Sequence, residues 1–305
     1  MKLNRLAALG AVAILAAGCA GGGGATTAPT TAATTTPATA APQSVAPEVT
    51  PVAIAAPTGL VAAGKLTDCV DIEYSPMEFF ASADVTDPNQ AIGFDVDSAR
   101  AVADAFGLDL SVYSSKFDTL IPDLQAGRCD IVWSALYLSD KRLQVADGVG
   151  YMKTGHVLMV AAGNPKGIDS PDKLCGLTIS IQSGGLVETR SADASKACTD
   201  GGKPAITIQK YAKVSDELQQ IVLGRVDAVW ETDSAVADFM LKNPDKYELA
   251  YSFPRDDTYA VYYTKGNKSL GDALTAALKA LKADGTLGSI ANTYQLDEGT
   301  LEAIQ

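Results

Sequence analysis

Between residues 66 and 294, short apolar runs alternate with segments whose apolar positions recur every three or four residues. Cys69-Val70-Asp71-Ile72 reads as a short strand. Phe94, Val96, Ala99, Val102, Ala103 and Phe106 share one helical face, and Gly107 supplies the stop. A second helix is predicted over 119–126, ending at Gly127, with Pro122 in its first turn where a missing N–H costs little. The strand that follows is predicted over 128–133. This alternation of strand and helix signals predicts an α/β fold with mostly parallel sheets flanked by helices.

The pattern occurs twice. Gly127-Arg128-Cys129-Asp130-Ile131-Val132-Trp133 recurs as Gly224-Arg225-Val226-Asp227-Ala228-Val229-Trp230. The second copy also follows a helix, with Ser215 read as its N-cap and Leu218, Ile221 and Val222 on its apolar face. Two lobes of similar construction follow. In open parallel sheets ligands bind beyond the carboxyl ends of the strands. That rule selects Asp71 and Tyr74, then 134–142, 182–186 and 231–233, from both halves of the chain. Two lobes presenting such loops to each other form a cleft that closes by hinge motion on a small molecule.

The amino terminus carries an address. Lys2 and Arg5 precede an apolar run over 6–17, about 12 residues, which suits a secretory signal and is too short for a spanning helix of about 20. Its tail, Leu15-Ala16-Ala17-Gly18-Cys19, resembles the lipobox of bacterial lipoproteins. The resemblance implies cleavage of a signal peptide, 1–18, and a lipid on Cys19 that anchors the chain to the outer face of the cell membrane. Residues 19–64 are the lipidated Cys and a linker of Ala, Thr, Pro and Gly, a composition that cannot bury enough apolar surface to offset its ordering entropy. At about 3 Å per residue this tether reaches up to roughly 120 Å. The Gly21–Gly24 run has no strand before it and no helix after it, so it is not a phosphate loop.

A length of 305 residues suits two domains, and 47% apolar with 20% charged residues is globular composition. The net charge of −12, about −14 once Lys2 and Arg5 are removed, argues against nucleic acid. The single histidine, His156, leaves no multi-histidine metal site and excludes most hydrolase triads. No metal and no cofactor is expected. Besides Cys19 there are Cys69, Cys129, Cys175 and Cys198, an even number that on an exported chain favours disulfides with three possible connectivities.

Several motifs together resemble the extracellular solute-binding proteins, family 3, of polar amino acid ABC importers. They are Glu73-Tyr74-Ser75-Pro76-Met77-Glu78-Phe79, Gly93-Phe94-Asp95-Val96-Asp97, Phe117-Asp118-Thr119-Leu120-Ile121-Pro122, Leu138-Ser139-Asp140-Lys141-Arg142, Ile181-Gln182-Ser183-Gly184-Gly185 and Ala283-Asp284-Gly285-Thr286. The resemblance implies a two-lobed periplasmic-binding-protein fold (type II) with a two-strand hinge. Lobe 1 is expected over 65–158 plus 256–305 and lobe 2 over 159–255. In that topology Cys69 and Cys129 lie on neighbouring strands and Cys175 and Cys198 share lobe 2, which implies the pairs Cys69–Cys129 and Cys175–Cys198.

The resemblance also implies the ligand set. Arg142 would grip the ligand's carboxylate with a planar, two-pronged guanidinium. Backbone N–H groups at Gly184, Gly185 and Leu186, where a glycine loop opens a helix, would add anion-binding donors, with Gln182 just before them. Ser134 and Ala135 follow the repeat strand, Tyr74 and Phe117 match aromatic walls, and Asp71 faces the end of the ligand's side chain. The chain departs from the family pattern at Gly185-Leu186, where a Thr-Thr pair is usual, and at Ala135 and Tyr137, where small or hydroxyl residues are usual. The position of the usual ammonium-binding aspartate falls on Thr232, flanked by Glu231 and Asp233, one of which is expected to replace it.

The function implied is a monomeric, lipid-anchored binding protein. It would capture a small zwitterion, a polar or basic amino acid, and deliver it to an ABC importer permease, without catalysis. The alternatives on the same scaffold are an exported dehydratase of the cyclohexadienyl or arogenate type, using Glu231 as acid, and a ligand sensor for a membrane receptor.

Overall fold

The computed structural model describes residues 53–305. The expected signal peptide, lipidated Cys19 and most of the linker lie outside the described residues. Two five-stranded sheets carry the chain. In the first, β1 (Lys65–Val70) pairs in parallel with β2 (Asp109–Ser114) and β3 (Ile131–Val132), giving the order β2-β1-β3. Two antiparallel strands complete it, β10 (Asp257–Thr264) beside β3 and β4 (Ala146–Thr154) at the edge. The second sheet repeats this plan. Here β6 (Thr178–Gln182) pairs in parallel with β7 (Thr207–Tyr211) and β8 (Ala228–Thr232), and β5 (His156–Ala161) and β9 (Tyr247–Ser252) run antiparallel. The sheets are therefore mixed, parallel in their βαβ halves and antiparallel where the chain passes between lobes.

The repeated heptapeptide explains the likeness of the halves. The helices α2 (Leu120–Gln125) and α5 (Val214–Val222) end at Gly127 and Gly224, whose φ angles of 67° and 63° suit glycine and turn the chain into the strand. The following aspartates then clamp each central strand. Asp130 donates its N–H to the Thr67 carbonyl (2.8 Å) and accepts the Thr67 N–H on its carboxylate (2.8 Å). Asp227 does the same to Thr178, at 2.7 and 2.9 Å. The repeat is thus a register device at the start of β1 and β6. The N-cap of α5 is Lys213, with no side-chain cap bond, rather than Ser215, which lies within the first turn.

The long helix α1 (Phe94–Ala105) buries Phe94, Val96, Ala99, Val102 and Ala103 completely. It starts at Gly93, whose φ of 128° and contact with the Met77 carbonyl leave no room for a side chain. The remaining helices are α3 (Asp140–Leu143), α4 (Leu186–Asp200), α6 (Asp233–Lys242), α7 (Lys268–Ala283) and α8 (Thr286–Thr293). Disulfides join Cys69 to Cys129, tying β1 to the approach of β3, and Cys175 to Cys198, tying α4 to the turn before β6.

The chain changes sheet between β4 and β5, at Gly155, and again between β9 and β10. His156, Val157 and Leu158, expected in lobe 1, pair with Thr232, Glu231 and Trp230 in the second sheet. The expected boundary at 158/159 is therefore three residues late in the strand order. At Gly155 the two crossing segments touch, since a Cβ there would meet the Pro254 carbonyl at 3.1 Å.

Candidate functional site

The loops after the parallel strands converge on a narrow cavity of about 10 Å³ between the lobes, room for about one water. Lobe 1 contributes Tyr74, Phe117, Ala135 and Tyr137, and lobe 2 contributes Gln182, Gly185, Leu186, Val187, Glu231 and Thr232. Tyr74 reaches across the cleft. Its hydroxyl donates to Glu231 Oε1 at 3.0 Å and pairs with the Thr232 hydroxyl. The same Glu231 oxygen also accepts the Thr232 N–H at 2.7 Å. Glu217, fully buried on α5, has its carboxyl pushed well up by burial and by the Glu231 charge.

Ala135 sits in the left-handed region, at φ 45°, with its N–H on Asp95 Oδ2 at 2.7 Å. That turn sends the chain from β3 into Tyr137. The Tyr137 ring stacks on His156, 5.2 Å between centroids and 16° from parallel, and its hydroxyl is buried without a partner. Arg142, on α3, donates from Nη1 to the Tyr137 carbonyl at 2.9 Å, and its guanidinium lies 6.0 Å from the centre of the Phe117 ring. Burial holds its pKa below the usual arginine value, and the groups that act back on it are the phenols of Tyr262 and Tyr137, not a carboxylate. The guanidinium is thus partly desolvated beside Phe117, a residue of the cavity wall, without an anionic partner among the described residues.

Other expected residues are spent elsewhere. The Ser134 hydroxyl donates to Glu78 Oε1 (2.7 Å) and accepts the Asp71 N–H (3.0 Å), so it braces lobe 1 rather than lining the cavity. The Gly184 N–H is donated to Glu188 in the first turn of α4 at 2.7 Å, so it is not a free anion donor. Asp233 points to the hinge, accepting from the Thr154 hydroxyl (3.0 Å) and Arg255 Nε (2.6 Å), and does not line the cavity. Asp71 opens on a neighbouring outer cavity of about 370 Å³ with Glu73, Asp118, Lys116 and Lys213. Burial first, then the Glu73 charge, raises Asp71 to about 7, and its Oδ2 has no partner.

Two groups of residues carry weight that the sequence did not assign to them. The first is a set of buried carboxylates behind the cleft. Asp68, Glu78 and Asp95 are all pushed up by burial, Asp95 to about 7, and each keeps one oxygen without a partner. The second ties the lobes at the hinge. Arg190 of α4 grips Asp257 of β10 with two parallel bonds, 2.7 and 2.8 Å, and His156 Nε2 lies 2.8 Å from the same carboxylate. Trp133 and Trp230 are core residues, packed on Tyr151 and on Phe253 respectively.

With this geometry in hand the chain can be set beside known proteins. The profile of the bacterial extracellular solute-binding proteins, family 3, matches residues 66–297. The chain belongs to that family. It is 26% identical over 276 residues to the arginine-binding protein ArgT of Corynebacterium glutamicum, covering 85% of this chain and 84% of that one. Identity is 28% over 232 residues to the lysine/arginine/ornithine-binding periplasmic protein of Escherichia coli K12, with 73% and 85% covered. Among solved structures, an ancestral arginine-binding protein bound to arginine superposes with a TM-score of 0.68 at 26% identity, covering 76% of this chain and 98% of that one. These named relatives are amino-acid-binding proteins, and the two-lobed fold of this chain is the fold of that structure.

Proposed function

We propose that the protein captures a small zwitterion in the cleft between its lobes and passes it to the permease of an ABC importer. Its own tether would be a lipid on Cys19, a reading that rests on the Leu15–Cys19 motif. The observation that carries the binding reading is a cation and a carboxylate on the two sides of one cleft. On the lobe 1 side the half-buried Arg142 guanidinium, beside Phe117 of the cavity wall, has no anionic partner among the described residues, and on the lobe 2 side a buried carboxylate, Glu231, lines the cavity. A partly desolvated charge without a partner carries a cost, and a ligand carboxylate at Arg142 would offset it. In this assignment Glu231, not Asp233, takes the ligand's ammonium, since Asp233 is engaged by Arg255. Gln182 adds a buried, unpartnered amide N–H₂ on the lobe 2 wall, and Asp71 meets a cationic side chain in the outer cavity.

The relatives' arginine, lysine and ornithine make basic amino acids the first solutes to test. A thermal-shift screen that pairs each amino acid with its decarboxylated amine, arginine against agmatine, reads the carboxylate contact directly. A ligand at a hundred times its Kd adds about 2.7 kcal/mol to the folded state, a visible shift. Shifts with the amino acid and none with the amine are expected. Equal shifts with both would refute the Arg142 assignment, and no shift with any zwitterion would refute the capture reading.

A further inference from the structure

Glu217 is a buried acid with no cation beside it among the described residues. It lies in the first turn of α5, a helix packed on β6 and β8, and it is fully buried. Neither of its carboxyl oxygens meets a donor among the described residues. The Ser180 hydroxyl on β6 goes to the Glu217 backbone carbonyl (3.2 Å), and the Gln220 amide goes to the Asp216 carbonyl (2.7 Å). What the Glu217 carboxyl does meet is the carboxyl of Glu231, in hydrogen-bond contact between α5 and β8. Two ionised carboxylates in such contact repel each other away from water, and neither has a proton to donate. One proton between them removes both faults, because an acid O–H donates and the carboxylate opposite accepts. Burial and the Glu231 charge both hold that proton on Glu217.

We infer that Glu217 is a positioning residue for the cleft: it shares one proton with Glu231 and releases that proton to solvent when an ammonium group binds there. Glu231 is held on both sides, its Oε1 by the Tyr74 hydroxyl and the Thr232 N–H and its carboxylate by Glu217. The space beside it, about that of one water, suits an ammonium head. A cation in that space favours the doubly ionised pair, so binding releases protons and affinity for the cation rises with pH. The other titratable groups facing Glu231 are the phenols of Tyr74 and Tyr137, both pushed up by burial, which stay neutral over that range. The inference rests on the assignment of the solute's ammonium to Glu231 and names the group that sets this carboxylate's charge.

The test compares the native protein with Glu217→Gln, which keeps the shape and a donor for Glu231 but cannot ionise. The infrared difference spectrum, native minus variant at pH 6, should show the carbonyl band of a protonated carboxylic acid. That band should weaken when arginine binds at pH 8. Calorimetric titration with arginine from pH 5.5 to 8 should show affinity climbing about threefold more in the native protein than in the variant. Asp71, raised to about 7, contributes alike to both, so the difference belongs to Glu217. Absence of the acid band would overturn the shared proton whether or not a solute binds. Parallel pH profiles with the band present would overturn the part of Glu217 in binding and leave the capture reading standing. If neither arginine nor any other zwitterion binds, the capture reading fails and the proton release fails with it.

Discussion

Replacing Asp95 with Asn tests whether the carboxylates behind the cleft are held in their neutral form. Asp95 is fully buried, and burial raises it from 3.8 to about 7. A carboxyl raised in the folded state holds its proton where the unfolded chain has already lost it. Its stabilising contribution is therefore complete below pH 4 and is lost as the pH climbs through 7. Three pKa units at about 1.4 kcal/mol each give roughly 4 kcal/mol in all, or about 1.4 kcal/mol per pH unit between pH 4 and 7. For a folded body of this size that corresponds to a fall in Tm of about 3–5 °C per unit. Asparagine keeps an oxygen for the Ala135 N–H and the Tyr151 hydroxyl, at 2.7 and 2.8 Å in the native chain, and has no charge to bury. Scanning calorimetry from pH 4.5 to 8 at fixed ionic strength should show a shallower slope for Asp95→Asn and a higher Tm than the native protein at pH 8. A residual slope from Asp71, also raised to about 7, and from Asp68, Glu78 and Glu217, pushed up by burial, is expected in both proteins. Identical slopes, or a variant less stable at pH 8, would refute the account of a neutral, proton-holding Asp95.

Three further outcomes follow from the packing. Gly93→Ala should cost several kcal/mol in urea unfolding, because φ is 128° and the new Cβ would run into the Met77 carbonyl; a loss within about 0.5 kcal/mol would contradict that geometry. Removing the Cys69–Cys129 bridge, which closes 60 residues, should cost about 4 kcal/mol by loop entropy, against about 3 for Cys175–Cys198 with 23; Cys→Ser pairs compared in denaturant would show the reverse order if loop length is not the determinant. Arg190→Ala removes the bidentate grip on Asp257 that joins the lobes, so bound solute should leave about tenfold faster with little change in association rate, measured by stopped flow; an unchanged dissociation rate would mean the pair does not hold the closed form.

The parts of this molecule legible in its sequence are those governed by local pattern. The apolar face of α1 and the glycine ends of α2 and α5 follow from helical periodicity and the left-handed stop. The duplicated Gly-Arg-x-Asp segment announced two lobes because the same backbone clamp is needed at β1 and at β6. What depends on where a side chain turns was not legible. Asp233 and Glu231 are two residues apart and nearly equivalent in sequence, yet β8 aims Glu231 into the cleft while Asp233, opening α6, meets Arg255 at the hinge. Gly184 looked like an anion donor, but Glu188 one turn on satisfies its N–H. Arg190, His156 and Asp257 come from three separate stretches, so only the folded chain brings them together. Ser134 and Glu78 sit inside recognisable motifs, which hid their mutual bond and the buried acid cluster it belongs to.

The central claim is that a partly desolvated guanidinium and a buried carboxylate on opposite lobes hold the two charges of one small solute. The direct measurement is the affinity of the best-shifting zwitterion for the native protein and for Arg142→Ala, by calorimetric titration. Loss of a charged partner from a buried carboxylate should weaken binding by about 2–5 kcal/mol, some thirtyfold or more, with the Tm of the unliganded protein little changed. Native-like affinity in Arg142→Ala would contradict the claim and move the solute's carboxylate to another part of the cleft.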